Sequence, residues 1–391
     1  MRVLITGARA PACLEWARLL RKAGCAVAVA DSCSLPLTRF SSSSERWFRL
    51  PEPVQGVSEY GEALLSAARI FHADLILPTC EEAFYIAHQK GRLEQQCPVV
   101  VAEFDLMARL HDKHAFAEFS HALPLSAPPT VLLESVDALM QHATCSRDLV
   151  FKPVYSRFAA DTLIRPSADA LRAIHPSSVR PWIAQQFVSG RELCSYGLWR
   201  EGRLLAHECY RPKYRVGQGS GVYLDPVDSD TIRGFAEAFG LETGYTGQAG
   251  FDFIEALDGT VYVLECNPRA TSGIHLFQSN PVELASLLAS PSNTAAQKPI
   301  LAPATSPRMI SVAMALFAAP KLRSRGAIRE FRNDWLRASD IVSVPGDRVP
   351  ALAQILGLGE IYYRAIRAGR SALSASTQDI EWNGQPLGPQ P

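Results

Sequence analysis

Residues 250–275 read GFDFIEALDGTVYVLECNPRATSGIH. Two runs rich in β-branched and aromatic residues flank Asp258-Gly259, a pair that tolerates positive φ, so the stretch predicts a β-hairpin. Residues i and i+2 of a strand share a face, which projects Glu265 and Asn267 together. Asp252 joins them if the turn sits at Asp258-Gly259. Two carboxylates and an amide oxygen form a hard, all-oxygen set suited to Mg²⁺, with Mn²⁺ as a substitute, that keeps phosphate oxygens and water as further ligands. The plainer reading is that Asp and Asn cap strand ends at a turn. Arg269 shifts the balance, because a guanidinium just past two carboxylates suits a phosphoryl group or a developing oxyanion. Thr271 and Ser272 are placed to cap a following helix whose N–H groups would face an anionic substrate.

Upstream, from Leu149, short strands joined by tight turns predict an α+β segment of antiparallel pairs: 149–154, 161–165, 182–188, 192–200 and 203–210. Glu201-Gly202 is the turn of the last pair. Lys152 ends an apolar run in LVFKPV. Alone it reads as a snorkelling surface lysine; beside a metal site it becomes a candidate phosphate ligand. Gln185 and Gln186 lie in an apolar strand ending near Gly190, where backbone and amide groups would read an adenine edge. Glu192 would accept from ribose hydroxyls. A plain hairpin with a polar edge is the bland alternative.

The first hundred residues alternate differently. Runs at 2–6, 26–31, 74–78 and 98–102 are each followed or preceded by helical spacing, which predicts an open parallel sheet. LPLSAPPT (123–130) marks an extended connector, and a domain boundary is expected near 110–125. Beyond Pro281 come a helical run, a linker rich in Ser, Ala and Pro to about 308, and a tail expected to be disordered after Gly384.

With 391 residues the chain fits two or three domains, and 39 basic against 39 acidic side chains give no field to draw it onto nucleic acid or a membrane. Nine scattered cysteines without zinc spacing fit reduced thiols in a cytoplasmic protein. GARAPA after the first strand has one glycine where a dinucleotide fingerprint needs three, although Asp31 ends the second strand where an NAD ribose acceptor would sit. No phosphate-binding G-x-x-x-x-G-K-[ST] loop exists. The histidines show no metal spacing and read as structural, with His275 close enough to Arg269 to deserve substitution.

The order Asp112-Lys113, Phe151-Lys152-Pro153, Gln186-Phe187-Val188-Ser189-Gly190-Arg191-Glu192, Gly250-Phe251-Asp252 and Glu265-Cys266-Asn267-Pro268-Arg269 resembles the ATP-grasp superfamily, in its branch of carbamoyl-phosphate synthetase-like carboxylate–amine ligases. The resemblance covers about residues 1–280. It implies a Rossmann-like first domain (1–110), an ATP-grasp domain (111–290, lid to about 185 and catalytic base from 186) and a C-terminal region (291–391) of unassigned role. Lys113 and Lys152 would contact the phosphates, Gln185, Gln186, Phe187 and Val188 the adenine, and Glu192 the ribose. Asp252, Glu265 and Asn267 would hold the metal, Arg269 would steady an acyl phosphate, and Lys213 in the polar loop 210–221 would reach the γ-phosphate. The implied reaction joins a small carboxylate to an amine with release of ADP and phosphate, in a chain open to homodimerisation. The turn YSRFAA (155–160) lacks the family's glycines, so Arg157 would substitute as a side-chain contact. That departure motivates a second expectation, a catalytically silent ATP-binding regulatory or scaffold protein on the same fold.

Overall fold

The computed structural model describes residues 1–157, 161–216, 219, 221–289, 298–302, 306–369 and 371–390. Strands β1 (Arg2–Thr6), β2 (Ala26–Asp31), β3 (Arg46–Arg49) and β4 (Leu75–Leu77) form the expected all-parallel sheet, in the order β3-β2-β1-β4. Its alternate residues go to opposite layers: Val3 and Ile5 pack with Trp16 and Leu20 of helix Pro11–Lys22, and Leu4 packs with Leu64 and Ala68 of helix Val57–Phe71. The run 98–102 is not a full strand. It touches the sheet through the single bridge Ile76↔Val99, because the Val101 N–H turns back to the Val99 carbonyl at 3.0 Å and bends the chain away.

A small antiparallel sheet follows in the order β5-β8-β6-β7, from β5 (Thr130–Leu133), β6 (Leu149–Pro153), β7 (Leu163–Ile164) and β8 (Trp182–Gln186). Leu133, Phe151, Trp182 and Ala184 pack on one face under its helices. By alternation Lys152, Ile183 and Gln185 occupy the other.

The large sheet runs β13-β12-β9-β10-β11, built from β9 (Gly190–Arg200), β10 (Arg203–Arg215), β11 (Gly221–Pro226), β12 (Gly247–Ala256) and β13 (Val261–Asn267). Short strands at Arg308–Met309 and Ser339–Asp340 extend its edge with residues of the C-terminal third. Glu201 and Gly202 take φ of 49° and 80°, the paired left-handed conformation expected of a two-residue hairpin turn. Of the segment 210–221 expected as a loop, residues 210–215 are strand, with β10 and β11 paired from Tyr210↔Pro226 to Arg215↔Gly221, and residues 217, 218 and 220 lie outside those described.

One apolar layer joins the large sheet to the first, with Leu193, Trp199, Phe251 and Phe253 packing in the same cluster as Leu64, Phe84 and Phe116. Across the opposite layer the Gln248 side chain bridges three elements. Its Oε1 accepts from Trp16 Nε1 at 2.7 Å and Tyr196 OH at 2.8 Å, and its Nε2 donates to the Pro78 carbonyl at 3.0 Å.

The tail is ordered where disorder was expected. Trp382 is buried, the Gln385 amide donates to Tyr85 OH at 3.2 Å, and His88 Nε2 bonds the Gly388 carbonyl at 3.0 Å. Aromatic burial and these bonds outweigh the entropy of a Gly/Pro-rich end. No helix among the described residues is long and apolar enough to cross a membrane.

Candidate active site

The hairpin loop is three residues, Leu257-Asp258-Gly259, with Gly259 at φ 87° and the Ala256 N–H on the Thr260 carbonyl at 2.8 Å. It is one residue longer than the two-residue Asp258-Gly259 turn expected, and a plain ladder from this longer loop would not assemble the site. Glu255↔Val261, Ile254↔Tyr262 and Phe253↔Val263 continued regularly would set Asp252 opposite Leu264 and send Glu265 to the far face. That face is the apolar layer holding Phe251 and Phe253. A β-bulge intervenes: the next pairs are Asp252↔Glu265, Phe251↔Cys266 and Gly250↔Asn267. Core contacts on β13 accordingly switch from Val261 and Val263 to Cys266, and Glu265 and Asn267 turn to the side of Asp252. Gly250 is needed at the last pair, since a Cβ there would overlap the Thr271 side chain.

Neighbouring register adds to this face, because Asp252 also pairs with Cys194, placing Glu192 two residues along on the same side. The Cys194 thiol donates to Asp252 Oδ1 at 3.0 Å. Burial, then the adjoining Glu265, push the Asp252 carboxyl above the usual carboxylate range. Burial also opposes ionisation of Glu265, but Lys113 and Lys152 outweigh it and hold that carboxyl low.

Those two lysines arrive by different routes. Asp112 Oδ1 accepts from the N–H groups of His114 and Ala115 at 2.9 Å each, capping helix Lys113–Ser120 and fixing Lys113 at its first position. A cation there opposes the helix dipole, so folding alone gives it no reason to be at that place. Its Nζ lies 3.6 Å from Glu265 Oε2 and donates to the Ser156 carbonyl at 3.0 Å. Lys152 comes from the polar-facing side of β6 and is 7 % exposed. Burial pulls its ammonium down to about 8 from the ordinary 10.5, against the attraction of Glu265.

Arg269 Nε donates to Glu81 Oε1 at 2.6 Å and its Nη2 to Asn267 Oδ1 at 3.3 Å. The donor set fits a divalent cation: two carboxylates close enough to compete for one proton, with an amide oxygen beside them, are the arrangement a hard ion relieves. Among the described residues no three His, Cys, Asp or Glu side chains cluster as ligands, so an ion would complete its shell from phosphate and water.

No family model matches the sequence, and no curated protein matches it. Solved structures do. N5-carboxyaminoimidazole synthetase from Staphylococcus aureus complexed with ADP superposes with a TM-score of 0.61 at 13 % identity, over 82 % of this chain and 85 % of that one. L-amino acid ligase from Bacillus licheniformis gives 0.54 at 16 % identity over 74 % and 73 %. The biotin carboxylase domain dimer of Hydrogenobacter thermophilus 2-oxoglutarate carboxylase, with MgADP and bicarbonate, gives 0.57 at 14 % over 76 % and 71 %. This chain has the ATP-grasp fold.

Within that fold the other expected residues divide. Gln185 shares the Lys152 face of the small sheet, is buried, and donates to Thr130 Oγ1 at 2.9 Å; Gln186 takes the opposite face and is exposed. Phe187 stacks under the Arg165 guanidinium at 5.0 Å, and Val188 follows in the link to β9. Glu192 is ion-paired with Arg215.

Lys213 is not brought to the site face. Tyr210 pairs with Cys194 and so shares that face, which sends Lys213 to the other side, where its Nζ meets Glu330 at 2.7 Å and Asp334 at 2.5 Å. Tyr214 then adopts φ 55°, breaks the alternation and swings Arg215 back toward Glu192 and Asp252. A left-handed tyrosine carries no sequence signal, so Arg215 was unreadable in advance.

Thr271 and Ser272 do not cap as expected. They open a six-residue 3₁₀ turn, Ser272–Phe277, without a side-chain cap bond, and Thr271 Oγ1 is buried with no hydrogen-bond partner among the described residues. His275 is committed to Glu15 at 2.9 Å in the core. Asp31 is taken by Arg9, whose backbone N–H donates to Oδ2 at 2.8 Å and whose Nη2 reaches Oδ1 at 2.5 Å, so the ribose-acceptor reading lapses.

In the turn 155–160, residues 158–160 lie outside those described. Arg157 is buried against Glu81 at 2.8 Å and Glu381 at 3.3 Å. Trp382 beside it stacks on Phe84 at 5.2 Å and edges against Phe104 at 5.3 Å and Tyr155 at 5.4 Å. Sequence reasoning missed Glu81 and Glu381. Glu81 had a signal, lying just past the carboxyl end of a parallel strand, where open α/β sheets bind ligands.

Proposed function

We propose that the protein is an ATP-dependent carboxylate–amine ligase working through an acyl phosphate. A carboxylate oxygen of the acid attacks the γ-phosphorus and ADP leaves; the neutral amine nitrogen then attacks the acyl carbon, the bond to the phosphate oxygen breaks, and the nitrogen's proton ends on the departing phosphate. The observation that supports this is the meeting of two faces, Asp252, Glu265 and Asn267 on the large sheet and Lys113 with Lys152 from outside it. Phosphoryl transfer requires charge neutralisation and in-line positioning rather than a nucleophilic side chain, and these residues provide the first without the second.

Residues 111–290 then act as the ATP-grasp unit behind the parallel-sheet domain. Asp252, Glu265 and Asn267 hold Mg²⁺, which when bound shields the triphosphate charge. Lys113 and Lys152 contact phosphate oxygens, Gln185 through Val188 border the adenine, and Glu192 takes the ribose after releasing Arg215. Arg269, steered by Glu81, stabilises negative charge on the tetrahedral carbon's oxygen during amine attack. Lys213 carries no step in this scheme, and Arg215 stands nearest to replacing it.

Mg·ATP incubated with panels of acids and amines should release ADP and phosphate in equal amounts. AMP and pyrophosphate instead would indicate adenylation and refute the acyl-phosphate route.

A further inference from the structure

Arg157 is 8 % exposed, and its surroundings leave it incompletely bonded. Nη2 lies 2.8 Å from Glu81 Oε2 and donates to the Trp382 carbonyl at 3.4 Å. Nη1 lies 3.3 Å from Glu381 Oε1, but in an orientation that makes no hydrogen bond. Among the described residues Nε and Nη1, both shut off from solvent, have no hydrogen-bond partner, nor has Glu81 Oε2. An idle buried N–H is costly, and a guanidinium fork is shaped for a bidentate carboxylate.

Glu381 is a poor match for that fork. Its Oε1 already accepts from Thr377 Oγ1 at 3.1 Å, its carbonyl is held by Tyr85 OH at 2.7 Å, and its side chain makes no hydrogen bond to either idle N–H. Glu81 lies between Arg157 and Arg269, with its Oε1 on the Arg269 guanidinium and its Oε2 facing that of Arg157. A carboxylate on Arg157 would therefore lie one side chain away from the group reacting at Arg269.

We propose that Arg157 binds a second, non-reacting carboxylate of a substrate, and that Glu381 of the C-terminal segment holds its place in the free protein. This rests on the ligase reading for the word substrate, though the anion site stands on its own geometry. The chemistry is that of a dicarboxylic acid or of an amine bearing a carboxylate, as an amino acid does.

The test uses the full chain and propionate, the free-acid equivalent of the glutamate side chain. Glu381→Ala opens the position, and propionate measured by calorimetry should bind that variant about tenfold or more tighter than it binds the parent. Propionamide should show no gain. Adding Arg157→Gln should erase the gain; if that protein does not fold, Arg157→Lys, which keeps charge without the fork, should reduce it. Equal propionate affinity for the parent and Glu381→Ala, or retention in the Arg157 variants, would overturn the site. Mg·ATP binding is measured in parallel, so its absence would sink the ligase reading while leaving the anion result intact. With Mg·ATP present, ADP release stimulated by glutarate but not butyrate assigns the second carboxylate to the acid. Stimulation by amino acids but not their amides assigns it to the amine. Stimulation without either preference would overturn the substrate assignment.

Discussion

Replacing Lys152 by methionine should make the protein more stable and less able to use ATP. Lys152 is 7 % exposed, and burial lowers its ammonium to about 8 from 10.5 despite Glu265 and Asp252 nearby. At about 1.36 kcal/mol per pKa unit, that fall corresponds to a folding penalty on the order of 3 kcal/mol. Its sign follows from proton counts. Between about pH 8 and 10.5 the unfolded chain holds the proton that the folded chain has shed, so stability rises with pH across that window, and the full penalty is present below it. Methionine fills similar volume without a charge to desolvate. Scanning calorimetry at pH 7 should therefore show a higher Tm for Lys152→Met, and a series from pH 8 to 10.5 should show a smaller rise in stability than in the parent. Mg·ATP should raise the parent's Tm and leave the variant's nearly unchanged, because a triphosphate returns the lost solvation to the ammonium. A variant that melts at or below the parent's temperature at pH 7, or that keeps the nucleotide shift, would refute the assignment.

Asp252→Asn removes a carboxylate pushed up by burial and by its neighbour, so the nucleotide-free protein should gain stability while the Mg²⁺ dependence of ATP binding, read by titration calorimetry, disappears. Glu208 is raised by burial to about 8 from 4.5, so the folded state holds the extra proton between those values and stability falls with pH there. Glu208→Gln should flatten that fall in urea melts while keeping the bond from the Ala302 N–H to the side-chain oxygen. Arg215→Ala should raise the KM for ATP by about tenfold, the weight of one charged contact, whereas Lys213→Ala should change it little and lower the Tm slightly through loss of Glu330 and Asp334.

The order of elements was legible because each rests on local chemistry. Apolar runs alternating with helical spacing marked the parallel sheet, and Asp258-Gly259 located the hairpin bend to within one residue; Asp112 entered only as part of a motif, and its cap on the Lys113 helix went unread. What stayed hidden depends on register and distant partners. The third loop residue and the bulge beside Asp252 that offsets it leave no mark in composition; a two-residue Asp258-Gly259 turn would have reached the Asp252↔Glu265 pair directly, and the structure reaches it by this other route. Arg215 depends on a left-handed Tyr214, and Glu381 meets Arg157 across more than two hundred residues of sequence. The tail was misread because its prolines and glycines signalled a loop, and only the tertiary nest of Phe84, Phe104 and Tyr155 shows what holds Trp382.

The extra residue in β13 bears on how this hairpin is matched to others. An alignment with a hairpin that has the same three-residue loop but straight strands must open a one-position gap near Leu264. Without the gap, every letter past it slides by one, and Glu265 is scored against a column of core apolar side chains.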